Sequence, residues 1–311
     1  MFRLFLLCLF CLASDADEAL VVRQKVLMGT FVTLSVDRKH KELIEPSFTL
    51  LQNIEKSLSS FDKNSPISKL NQNKSAKLDA FSYEALQLSR DFYRETDGYF
   101  NIAIGKITKD IYRFGEDERV AGKEELQEAS VDINGLRFSR YGATLKRGVK
   151  IDLGGMGKGY GVDKTVAFLQ AHSVQKAIVA LSGDIRCIGR CKIAINNPLN
   201  AQTPLALFSI EDSGVTTSGN YNRYIQTKEY NHLINPKTKH SEVNFISVTL
   251  ISKQLSSARL DAYATAVSVM PPKKACHFLD SKKLGYIILQ ADKKLLLSSN
   301  IADYAQELKL K

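Results

Sequence analysis

Ile151-Asp152-Leu153-Gly154-Gly155-Met156-Gly157-Lys158-Gly159-Tyr160-Gly161-Val162-Asp163-Lys164 is the stretch on which the reading of this chain turns. Five of the eight residues from Gly154 to Gly161 are glycine. β-favouring Val149, Ile151 and Leu153 lead in, and a helix-like stretch from Val162 to Gln170 leads out. Glycine at this density lets backbone approach a partner closely and lets tight turns take positive φ. At a strand-to-helix junction the partner is often a phosphate or another anion, held by backbone N–H groups and the helix N-terminus. A turn needed only for tight helix–strand packing is the plainer reading of an isolated glycine cluster. Asp152 and Lys158, one charge of each sign, weigh toward a charged ligand.

The familiar glycine motifs do not fit. A P-loop requires Ser or Thr after its lysine, and Gly159 follows Lys158. The dinucleotide fingerprint fails in each register, because Tyr160 and Val162 stand where its third glycine belongs.

Working outward, Leu20 to Val36 reads as strand–turn–strand about Met28-Gly29-Thr30, and Lys41 to Leu58 has helical spacing. Ser82 is the expected cap of a helix through Tyr93. Strands are expected at 176–181, 192–195, 205–210 and 245–251, and a last strong helix from Ser257 or Ala258 to Met270, stopped by Pro271-Pro272. Strands and helices mix without a βαβ rhythm. The fold class expected is α+β, a layered α/β sandwich and not a Rossmann sheet.

The chain has 311 residues, 44% hydrophobic and 24% charged, with a net charge of +10. Its lysines are scattered without an aromatic-interleaved basic motif, so a solvated basic surface is expected and nucleic-acid binding is not. A basic patch that steers an anionic nucleotide, or meets an acidic membrane surface, stays open. Met1-Phe2-Arg3, the apolar run Leu4 to Leu12, and small Ser14 and Ala16 read as an export signal over residues 1–16, with residues 17–311 as the mature domain. The run is about half of the ~20 residues that span a bilayer. Cys187 and Cys191 either pair across Ile188-Gly189-Arg190 or remain buried thiols.

Four further segments look chemical. Asp261 and Thr265, four apart on the last helix, project oxygens from one face and suit a hard cation such as magnesium; a surface Asp and a Thr bonded to its own helix is the competing reading. His232, ahead of Leu233-Ile234-Asn235-Pro236, is a candidate base, although a lone histidine is usually structural. Thr216 to Tyr221 reads as a polar turn, and Ala180 to Ile185 as a strand entering a turn.

Together these segments resemble the ApbE family of flavin transferases, whose fold is of the T-fold-like type. The resemblance runs from Met28-Gly29-Thr30, through Ser59-Ser60-Phe61, Ser68-Lys69-Leu70-Asn71 and Asp97-Gly98-Tyr99-Phe100-Asn101, to Met270. Its sharpest parts are 152–160, 232–238 and 258–265. It implies an exported, periplasmic enzyme that uses Mg²⁺ and FAD, transfers FMN to a Ser or Thr hydroxyl of an acceptor protein, and releases AMP. The implied acceptors are subunits of membrane redox complexes. The implied metal ligands are the Gly155 carbonyl, Asp261 and Thr265. The implied FAD contacts are Met28, Phe61, the Tyr99-Phe100-Asn101 turn, Asp152, Lys158 and the Leu233–Ile234 backbone. His232 is the implied base, and Lys158 would share the phosphate charge with the metal.

The chain departs from the family pattern at Asn101, Asn220 and Asn235, where Asp is common, and at Ser182, where a second glycine is. Two other functions fit the same residues. One is a Mg²⁺-dependent FAD pyrophosphatase, with water in place of the hydroxyl. The other is an exported flavin-binding protein without turnover, which would need no base.

Overall fold

The computed structural model describes residues 20–311. The expected export signal lies outside the described residues. Strands β1 (Val21–Leu27) and β2 (Thr30–Val36) form the expected hairpin. Met28 and Gly29 link them at φ +53° and +70°, the left-handed pair that a tight two-residue loop requires. Helix α1 (Ile44–Leu58) follows, then α2 (Pro66–Asn73), which Ser65 caps by accepting from the Ser68 N–H. After β3 (Ser75–Ala76) comes α3 (Ala80–Glu95). Its cap is Asp79 and not Ser82; Ser82 is instead the N3 partner in a capping box, which moves the start three residues upstream.

Helix α4 (Lys123–Glu128), β4 (Leu136–Ser139) and β5 (Gly142–Leu145) precede the glycine-rich stretch. The β-favouring approach to that stretch is no sheet strand. Its backbone is bonded elsewhere: the Asn71 amide accepts from Ile151 N–H at 2.7 Å and donates to Ile151 C=O at 2.8 Å, while Asp152 N–H donates to Ile102 C=O. With those groups satisfied there is no ladder left to make. Helix α5 (Gly157–Ala171) starts inside the glycine run, five residues before the expected Val162.

The rest of the chain is β6 (Ala177–Leu181), β7 (Asp184–Ile188), β8 (Arg190–Asn196), β9 (Pro204–Glu211), β10 (Gly214–Gly219) and β11 (Phe245–Ser252), then α6 (Ser257–Ser268), α7 (Pro272–Ser281), β12 (Gly285–Gln290), β13 (Leu295–Leu297) and β14 (Gln306–Leu310). Thr216 to Gly219 is therefore strand and not turn. Pro272, expected only to stop a helix, opens α7, where its missing N–H costs nothing.

Eight antiparallel strands form one sheet in the order β1-β2-β6-β7-β10-β11-β12-β13. Smaller sheets are β14-β9-β8 and β3-β5-β4. Alternation along β6 shows the layering. Ala177, Val179 and Leu181 pack with α1 and α5, whereas Ile178 and Ala180 pack with Ile193, Ile195, Phe208 and Ile210 of β8 and β9. The result is helices, large sheet and small sheet in three layers, an α+β sandwich as expected and not a Rossmann sheet. On β7, Ile185 and Cys187 face the small sheet, which turns Asp184 toward the helices. Cys187 and Cys191 are joined as a disulfide between β7 and β8. Ser182 holds φ +57°, the conformation for which glycine is better suited.

Candidate active site

Helices α5 and α6 meet where glycine permits it. A Cβ on Gly159 would lie 2.3 Å from the Ser257 carbonyl oxygen, so only glycine fits under the start of α6. Each helix also caps the other. Asp163 of α5 accepts from the Ser257 and Ala258 N–H groups at 2.7 and 2.9 Å. Asp261 of α6 accepts from the Gly159 N–H at 3.2 Å. A carboxylate at each N-terminus offsets orphan donors and the helix dipole.

This crossing brings Lys158 against two buried carboxylates. Its Nζ lies 2.8 Å from Asp184 Oδ2 and 3.1 Å from Asp261 Oδ2. Burial works against the Lys158 charge, but Asp184 and Asp261 outweigh it and hold its pKa above the ordinary value. Two carboxylates face one ammonium, so one negative charge is left uncompensated. The Asp184 carboxyl registers it: burial and then Asp261 push its pKa up to about 7. The buried hydroxyl of Thr216, its register neighbour on β10, stands beside the Asp184 carboxyl and opposes that rise, as does Lys158.

On the same helix as Asp261, one turn on, the Thr265 hydroxyl lies 3.4 Å from the Gly155 carbonyl oxygen. A Cβ on Gly155 would sit 3.1–3.2 Å from Thr265 and 3.3 Å from Phe100. The donors are all hard oxygens, and the buried charge is negative. They fit a divalent cation such as Mg²⁺. Among the described residues no three His, Cys, Asp or Glu side chains converge as a metal cage, so water or phosphate oxygens must complete any shell.

Asp152 closes the other side. It accepts from Thr108 Oγ1 at 2.6 Å and from the Gly154 N–H at 2.9 Å, with Lys109 Nζ at 3.7 Å. Burial opposes its charge, but Lys109 and these donors keep its pKa below the usual range. The Lys109 ammonium also lies 3.8 Å from the centre of the Phe61 ring, which is half exposed. Phe61 is thus an aromatic wall tied to Asp152 through Lys109.

His232 is tied down by Arg223. Its Nδ1 is 3.1 Å from the Arg223 carbonyl oxygen, which can only accept. Nδ1 therefore carries the hydrogen, and Nε2 keeps its lone pair. Burial, then the Arg223 charge, then Lys158, lower the pKa of His232 to about 4. The imidazole is neutral at physiological pH.

The remaining expected residues sit at the edges. Met28 donates its N–H to Glu55 at 2.8 Å, and its sulfur rests against Gly161. Phe100 is buried edge-on to Phe92. Tyr99 is covered by Lys237 and Lys274 at 4.9 and 4.8 Å from its ring centre. The Asn101 amide is spent on Val131 C=O and Ala103 N–H. Asn235 likewise bonds Glu242, Val269 and Lys237. These two asparagines brace loops and direct nothing at the cation position. Leu233 accepts from the Glu242 N–H and donates to Asn231, and Ile234 bridges to Ser241, so this backbone is largely used internally. The sequence reading missed Asp184, Thr108, Lys109 and Arg223. Asp184 lies inside the Ala180–Ile185 segment, but the direction of its side chain depends on strand register; the others carry no local signature.

A model of the ApbE family matches residues 28–288. The FAD:protein FMN transferase of Treponema pallidum is 27% identical, over 96% of this chain and 93% of that protein. That of Vibrio cholerae is 26% identical over 77% of each. In fold, the ApbE protein of Thermotoga maritima superposes with a TM-score of 0.85 at 24% identity, covering 93% of this chain and all of that one. The Vibrio cholerae flavin transferase ApbE does so at 0.78 and 22%, covering 92% of this chain and 99% of its own. Those two structural likenesses speak to the fold; the family model, matched over most of the sequence, speaks to descent, and this chain belongs to the ApbE family.

Proposed function

We propose that this chain transfers FMN from FAD to a Ser or Thr hydroxyl of an acceptor protein and releases AMP. What supports the reading most is that a neutral His232, whose Nδ1 is bonded to Arg223, feels the charges of both Lys158 and Asp152, while Lys158 is paired with Asp261. Relatives of the chain bear the name of this activity.

In the proposed reaction the acceptor oxygen attacks the phosphorus on the FMN side of the pyrophosphate. A phosphoester bond forms as the bridging P–O bond breaks, and AMP departs with that oxygen. His232 Nε2 takes the hydroxyl proton. Lys158 offers positive charge to the phosphates. Phe61 supplies an aromatic face to a flavin ring. Gly155, Asp261 and Thr265 would hold Mg²⁺, which when bound neutralises phosphate charge. His232, with a pKa near 4, is a weak base. It contributes by always being unprotonated and by fixed orientation rather than by basicity.

The site of action is proposed to be outside the cytoplasmic membrane, on subunits of membrane redox complexes. The Arg3 start and apolar Leu4–Leu12 support export. The Cys187–Cys191 disulfide suits an oxidising compartment.

Incubation with FAD, Mg²⁺ and a candidate acceptor tests the activity, read by in-gel flavin fluorescence, acceptor mass and released AMP. A fluorescent acceptor heavier by one FMN, with equimolar AMP, is expected. FMN and AMP free in solution with unlabelled acceptor would make the protein a pyrophosphatase. FAD bound and intact would make it a binding protein.

A further inference from the structure

From Asn134 to Lys150 the chain carries Arg137, Arg140, Lys146, Arg147 and Lys150, and no aspartate or glutamate. This segment is the β4–β5 hairpin with its flanks. Lys150 is paired with Asp110. The other four are exposed, and none of them forms a salt bridge. Exposed Lys77, the residue after β3, joins them, because Gly142 at the hairpin turn packs so closely that its Cβ would lie 2.9 Å from the Ala76 carbonyl oxygen and 3.9 Å from Lys77 Cα. Elsewhere exposed cations often have partners, as in Lys25–Glu45, Arg119–Glu125 and Lys294–Asp292. Here no carboxylate stands in the chain between Asn134 and Lys150, and none of the five is ion-paired among the described residues.

The hairpin has two faces. Phe138 and its register partner Ala143 turn toward the core. Arg137 and its partner Thr144 turn outward and line an open groove of about 550 Å³ with Ser75, Lys77, Ser139 and Tyr141. Tyr141 stands at the hairpin tip, 72% exposed, with the Arg140 guanidinium over its ring at 4.9 Å.

We propose that this hairpin face docks the protein onto an anionic phospholipid surface, with the cations on lipid phosphates and Tyr141 in the interface. The groove is open and shallow, with no buried donors converging on one small anion. Spread charge on such a face matches a spread negative surface. A phenol ring beside a guanidinium belongs at a polar–apolar boundary, where one end is wet and the other apolar. A single-stranded nucleic acid would call for several exposed stacking rings along the groove; of its two rings Tyr141 is exposed, and Phe138 is half-buried against the core. The docking is independent of the flavin chemistry.

Vesicle co-sedimentation of the full chain tests this, with an identical N-terminus in every variant. Phosphatidylcholine vesicles with and without phosphatidylglycerol are compared. The wild type should bind the anionic vesicles and release them at high salt. Each basic residue near an anionic surface is worth about fivefold in partitioning. Replacing Lys77, Arg137, Arg140, Lys146 and Arg147 with glutamine should therefore weaken binding by ~100-fold or more while soluble FAD turnover and thermal unfolding stay unchanged. Tyr141→Ser, which leaves the charge alone, should weaken it further than any single lysine change outside the hairpin. A control with Lys228, Lys273, Lys293, Lys309 and Lys311 replaced by glutamine should bind as the wild type does. Equal loss in the control, no preference for anionic vesicles, or binding to a single-stranded oligonucleotide in place of vesicles would overturn the proposal.

Discussion

Asp163 and Asp261 exchange helix caps. Asp163 on α5 holds the first N–H groups of α6, and Asp261 on α6 holds the Gly159 N–H of α5. The two helices are therefore locked in one relative setting. Lys158 on one and Asp261 and Thr265 on the other meet because of it. Burial raises the Asp163 pKa while the two backbone donors oppose that shift, so its charge is held at a cost.

Asp163→Ala is expected to cost about 1–2 kcal/mol, the range for a lost cap, and to lower turnover although Asp163 touches neither the cation position nor His232. Urea unfolding with parallel activity measurement checks this. Unchanged stability would remove the exchanged cap as a structural device.

Asp261→Ala should abolish metal-dependent FAD cleavage, since Asp261 is the only charged ligand assigned to Mg²⁺. A second readout needs no turnover: Mg²⁺ should raise the unfolding temperature of the wild type and not of the variant. A variant that keeps both responses would refute the assignment.

Asp184→Asn removes the uncompensated charge beside Lys158. Folding without a cation pushes the Asp184 pKa up to about 7, above its unfolded value, so ionising it costs stability as pH rises through 7. The asparagine variant should be more stable than wild type above pH 7 in the absence of Mg²⁺. Its Mg²⁺ affinity should fall by roughly 10–100-fold, the usual effect of losing a supporting group behind a metal ligand. Calorimetric titration and melts across pH decide both.

His232→Ala should retain FAD binding and lose transfer by roughly 10²–10⁴-fold. With a folded pKa near 4, His232 stays unprotonated through neutral pH, so transfer should not fall with acid until well below pH 6 on its account. Because that value lies below the unfolded ~6.5, its contribution to stability is present above pH 6.5 and is lost as pH falls toward 4. An inflection in transfer rate near pH 6.5 that vanishes in the variant would contradict the lowered pKa described.

Local chemistry was readable wherever one segment contained its own partners. The Met28-Gly29 hairpin, the amphipathic α1, the Asp261–Thr265 spacing and the glycine-rich turn each declare themselves within a few residues. The start of α5 was not readable at Gly157, because glycine is a poor helix former and packing under Ser257 overrides that preference. The approach Val149–Leu153 looks like a strand, yet Asn71, eighty residues upstream, supplies its hydrogen bonds.

By itself, the sequence determined the layered α+β class, the family, and the residue types available for phosphate chemistry, because periodicity and short motifs are properties of neighbouring residues. Only the tertiary structure decided that Asp184 faces Lys158, that Lys109 links Phe61 to Asp152, and that the Arg223 carbonyl sets the tautomer of His232. Those relations depend on strand register, on helix crossing and on burial. Each is fixed by contacts between segments far apart in the chain, and no local pattern encodes them.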